Sequence, residues 1–113
     1  MRSPSWTRDE VILALDLYLR NRPRIPLISE EGVLTLSRQL KALAIHTDEL
    51  RPDGFRSPAS VVLKLSNLRA LDPSSVASGL PAGSRTDREV WDEFSDNLAA
   101  LEIEVRRIRA TDG

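Results

Sequence analysis

The stretch GFRSPASVVLKLSNLRALDP, residues 54–73, decides how the chain folds. Ser57 followed by Pro58 is a helix start: the serine oxygen can accept an orphan amide of the first turn, and proline at the first helical position has no N–H to lose. Val61, Leu65 and Leu68 then recur at spacings of four and three, flanked by Val62, which marks one buried side of a helix. Asp72-Pro73 ends the element, since the residue before a proline is driven out of the helical region. The spacing therefore predicts a helix over 57–70. Ser60, Lys64 and Asn67 are also separated by four and three. The expectation is that this hydrophilic stripe stands in solvent, away from the aliphatic one, with Phe55 and Arg56 just ahead of the first turn.

The same 3.6-residue period runs through the rest of the chain. Thr7 and Glu10 form a T-x-x-E capping box, after which Ile12, Leu15 and Leu19 share a face backed by Val11 and Tyr18, until Pro23 and Pro26 forbid continuation. This predicts a helix over about 7–21 with Trp6 packed over it as a lid. Ser29, with Glu30 and Glu31 in the first turn, opens a second helix over about 29–44, with Val33, Leu36, Leu40 and Leu43 as its buried stripe. Thr86 and Glu89 read as another capping box for a last helix over about 86–110. Its apolar residues Trp91, Phe94, Leu98, Leu101, Val105 and Ile108 alternate spacings of three and four in a heptad-like seam. The expected fold is all-α: one compact domain, residues 1–113, of four main helices, with a helix-turn-helix-like third helix and a long C-terminal helix as its spine. Residues 45–56 read as an irregular crossing with a Pro-Asp-Gly turn, and the Ser- and Gly-containing run after Pro73 as a long loop.

Composition narrows the chemistry. With 113 residues, 41% of them hydrophobic, one core can form without disulfides, and the absence of cysteine removes every thiolate metal site. A cysteine-free chain with no secretory apolar region and no run of roughly 20 apolar residues is expected to be soluble and cytoplasmic. The lone histidine, His46, has no neighbour to complete a dyad, and no role is assigned to it. No phosphate-cradling glycine loop or nucleophile elbow occurs. The neighbouring carboxylates Asp9-Glu10, Glu30-Glu31 and Asp92-Glu93 lie in helices, where adjacent side chains diverge by about 100° and cannot converge on one ion. The expectation is a non-catalytic chain with no cofactor and no metal.

A net charge of −1 argues against a protein held on nucleic acid by bulk field, but eleven of the 16 lysines and arginines precede Pro73, so the basic side chains gather toward the N-terminal part. An α-helix fits the major groove of B-DNA, where lysine can donate to guanine and asparagine can bond adenine at two points. Ser60, Lys64 and Asn67 match that layout. The amides of the helix start at Ser57, with Arg56 beside them, would hold a phosphate.

Three segments, SPSWTRDEVILALDLYLR, RSPASVVLKLSNLRALDP and DREVWDEF, in this order over nearly the whole chain, resemble the N-terminal domain found ahead of HNH nuclease domains in bacterial restriction endonucleases. The resemblance implies a front domain that reads duplex DNA, in several relatives modified DNA such as methylated cytosine, with an HNH nuclease domain further C-terminal. Where the resembling motif carries an aromatic residue after its asparagine, this chain has Leu68, so stacking on a flipped base is less expected than methyl contact within the groove. The candidate DNA-binding set is Arg20, Arg22, Phe55, Arg56, Ser57, Ser60, Lys64, Asn67 and Arg85, with Phe55 as the aromatic free to touch a methyl group. The competing expectation is a protein-interaction module that forms a homodimer through the seam of the last helix.

Overall fold

The computed structural model describes residues 4–43, 54–75 and 83–111. His46 and the Pro-Asp part of the expected turn lie outside them. Five helices follow one another: α1 (Arg8–Asn21), α2 (Glu31–Ala42), α3 (Pro58–Arg69), α4 (Arg85–Phe94) and α5 (Leu98–Thr111), with no strand among the described residues. None of these helices is long and apolar enough to cross a membrane.

The hub is α1, which packs against all four other helices. Val11, Ile12, Leu13, Ala14, Leu15, Leu17 and Tyr18 are all buried, so the helix is apolar nearly all round, as an element enclosed on every side must be. This corrects the expectation that the last helix is the spine. The Thr7–Glu10 capping box is present in both directions: the Glu10 amide donates to the threonine oxygen and the Thr7 amide to the glutamate. Ser57 caps α3 by accepting from the Ser60 amide, with Pro58 in the first turn.

Two helix starts differ from expectation. The N-cap of α2 is Glu30, not Ser29, and no side chain caps that end. The Glu30 carboxylate instead accepts from Arg24 at 2.8 and 2.9 Å and from the Leu27 amide, which folds the proline-rich connector against the helix start. At α4 the capping box is Ser84 with Asp87 rather than Thr86 with Glu89.

The expected long last helix is two helices. Asn97 breaks it: its Oδ1 accepts from the Ala100 amide at 3.2 Å and its carbonyl from Leu101 at 3.1 Å, so a new helix starts there. The apolar spacing runs through the break undisturbed because Ser95, Asp96 and Asn97 occupy the gap between Phe94 and Leu98. Trp91, Phe94, Leu101, Val105 and Ile108 are buried within the chain, while Leu98 is 61% exposed. The seam therefore serves the intramolecular core.

Candidate nucleic-acid interface

The candidate site has to be built around the edge of α3 that faces the start of α4. Lys64 follows Val61 by three residues and precedes Leu68 by four, so it flanks the buried stripe instead of opposing it. Its ammonium donates to both oxygens of Asp87 at 3.0 Å, and the two residues are 8% and 0% exposed. Asp87 in turn accepts from the Ser84 amide at 3.0 Å, so one carboxylate caps α4 and anchors it to α3.

Arg56 lies deeper. Its guanidinium donates to Glu10 at 2.7 and 3.0 Å and to the carbonyls of Pro4 and Ser5 at 2.9 and 3.3 Å. Arg56 is 1% exposed and Glu10 is fully buried. The guanidinium lies 4.5 Å from the centroid of Phe55 and 4.8 Å from that of Trp6, and the Lys64 ammonium lies 5.4 Å from the same Trp6 ring. Two cations and two carboxylates are thus enclosed with opposite charges matched, the condition under which burial of ions is tolerated. The Arg56 carbonyl accepts from the buried Ser37 hydroxyl at 2.7 Å, which ties α2 to the same turn.

A second network surrounds Asp72. Arg22 donates to it at 2.7 and 3.0 Å, the Tyr18 hydroxyl at 2.7 Å, and Ser74 through both its amide and its hydroxyl. Arg22 also lies over the Trp91 ring. Burial would push the Asp72 carboxyl up, but the bonds from Arg22, Ser74 and Tyr18 prevail and hold it well below the ordinary carboxylate range. The Tyr18 hydroxyl is pushed up, first by burial and then by its bond to Asp72.

The expected binding set divides accordingly. Phe55, Arg56 and Lys64 are enclosed, which corrects their assignment to a solvent-facing groove contact. Ser57 is occupied as a helix cap, and Arg22 is engaged with Asp72. Ser60 and Asn67 are half-buried at the α3 edge; the Ser60 hydroxyl donates to the Ser57 carbonyl at 2.9 Å. Arg85 is exposed and pairs with Glu89 one turn on, and Arg20 is exposed beside Asp16 at the far end of α1. The outward face of α3 is small and apolar, with Ala59 and Leu63 exposed and Val62 and Ser66 half-buried. The polar stripe and the solvent face are therefore different sides of the helix.

Gly83 sits where α3 and α4 meet. A Cβ there would collide with the Asp87 carboxylate and lie 2.8 Å from the Asn67 amide nitrogen, so the backbone approaches the α3 edge as closely as glycine permits. Exposed Arg85 and Arg88 follow in the first turns of α4. Sequence reasoning missed Glu10, Asp72 and Asp87 as ion-pair partners, because partners 46, 50 and 23 positions apart leave no periodic signal. Among the described residues no group of three or more His, Cys, Asp or Glu side chains is placed to hold a metal. Comparison of the chain with protein-family profiles, with curated proteins and with solved structures gave no match in any of the three.

Proposed function

We propose that this chain is a non-catalytic duplex-DNA-binding domain of the kind that precedes an HNH nuclease, with cytosine-methylated DNA as the favoured target. The observation that carries the reading is the convergence of the three motifs behind the resemblance. Trp6 and Glu10 come from the first, Arg56 and Lys64 from the second and Asp87 from the third; the four charged residues are buried and the half-buried Trp6 ring joins their two ion pairs. Tyr18, Asp72 and Trp91 repeat the pattern in the other network. The buried residues of the motifs thus act as a frame, and the contacts with DNA fall to their exposed and half-buried residues at the rim. Arg85 and Arg88 hold phosphates, Ser60 and Asn67 reach base edges, and exposed Leu63 takes the methyl contact expected of Phe55.

An electrophoretic shift series on unmodified and cytosine-methylated duplexes tests this across a range of salt. The wild-type chain should prefer the methylated duplex. Arg85→Glu with Arg88→Glu should weaken binding to both duplexes and lower the slope of log affinity against log salt by about 2, since each phosphate contact contributes about 0.9. Binding indifferent to the double reversal, or no binding by the wild-type chain at low salt, would reject the reading.

A further inference from the structure

The outward side of α5 carries a pattern that the core does not use. Leu98 is 61% exposed there, in line with Glu102 and Arg106 at intervals of four. Along this face the charge changes sign, from Glu102 to Arg106 and Arg109, while Glu104 and Arg107 are turned away from it, paired with each other and, through Arg107, with Asp9 of α1. Beside this face, between α1 and α5, runs a groove of about 400 Å³ with Leu19, Leu98, Leu101 and Val105 on its apolar lining and Arg20 and Arg109 at its polar edge.

We propose that this face pairs with the same face of a second copy, the two α5 helices running antiparallel about a two-fold axis near Glu104. A reversal of sign along one helix is complementary to itself only when the copy runs the other way. Centred at residue 104, Glu102 falls opposite Arg106 of the partner subunit, Arg106 falls opposite the partner's Glu102, and Leu98 falls over the last turn of the neighbouring helix. Two-fold symmetry makes each contact twice. An acidic or basic foreign segment would match only one half of the face. Glu102 and Arg106 already bond within the chain at 2.5 Å, but both are exposed, at 63% and 77%, so turning them toward a neighbour gives up little. Apart from Leu98, the seam expected to form a dimer stays in the core; the pairing surface is the exposed flank of the same helix. This inference does not rest on the DNA reading.

The test is sedimentation of the full chain over a range of concentrations up to millimolar. The wild type should show a monomer–dimer equilibrium. Glu102→Arg and Arg106→Glu should each weaken it about tenfold or more, because like charges then face one another. The two variants mixed should pair with each other, and the swap E102R/R106E in one chain should restore association. Both side chains are exposed, so circular dichroism should stay unchanged. A wild-type chain that remains monomeric overturns the proposal, as does failure of the mixed variants to associate.

Discussion

Arg56 holds φ at 46°, a left-handed conformation that side-chain-bearing residues seldom adopt, and does so while nearly inaccessible to water. Such strain costs on the order of 1–3 kcal/mol and persists only where the surroundings fix it. Here they do, through the two-point bond to Glu10, the carbonyls of Pro4 and Ser5, the Ser37 hydroxyl and two aromatic rings. Arg56→Ala should destabilise the domain by about 3–5 kcal/mol in urea unfolding, because it takes the two-point guanidinium bond from a buried carboxylate. Arg56→Gly would relieve the backbone but not replace the guanidinium at Glu10, and should not recover the loss. Asp72 governs a pH effect. Its carboxyl is held below its ordinary value in the folded chain, so its contribution is complete above about pH 4 and is lost as pH falls below that. Asp72→Asn should flatten the acid limb of a stability-against-pH curve recorded by thermal melting; an unchanged limb would contradict this.

At the scale of elements, the helix ends matter more than the helix interiors. The break between α4 and α5 depends on Asn97, and Asn97→Ala should cost about 1 kcal/mol, read as a lowered melting temperature. Gly83 is sensitive for a different reason. The Asp87 carboxylate that a Cβ would strike is held by Lys64 and Ser84 and cannot swing aside. Gly83→Ala should therefore destabilise by about 1–3 kcal/mol, as overpacking does, whereas alanine at half-buried Ser66, whose hydroxyl bonds the Val62 carbonyl of its own helix, should be nearly neutral. Measuring both variants separates a steric effect from a general sensitivity of α3 and α4.

At the scale of the whole molecule, the two polar networks join parts of the chain that the aliphatic core alone would leave free to slide. Lys64 bridges α3 to α4, Arg56 connects the turn before α3 to α1, and Asp72 gathers α1, the residues after it and the stretch after α3. Lys64→Ala should act on stability, by about 3–5 kcal/mol, rather than on the DNA preference proposed for the chain. A variant that stays fully stable yet loses its preference among duplexes would restore Lys64 to the base-reading role.

Period and capping chemistry were enough, from the residues alone, to establish the helical class, the starts of α1 and α3 and most of the buried aliphatic positions, though not Leu13, Leu17 or Val90. These signals are local, carried by side chains three or four positions apart. Placement of the charged residues was decided by tertiary packing. Whether Lys64 faces water or Asp87 depends on a helix that begins 21 residues later, and no spacing within α3 distinguishes the two. The break at Asn97 escaped notice because a three-residue cap can replace part of a turn without disturbing the apolar count. The proposed site lies at the rim of α3 and not in its middle for the same reason: in a chain this small, the polar groups that the sequence displays most clearly are consumed in holding the helices together.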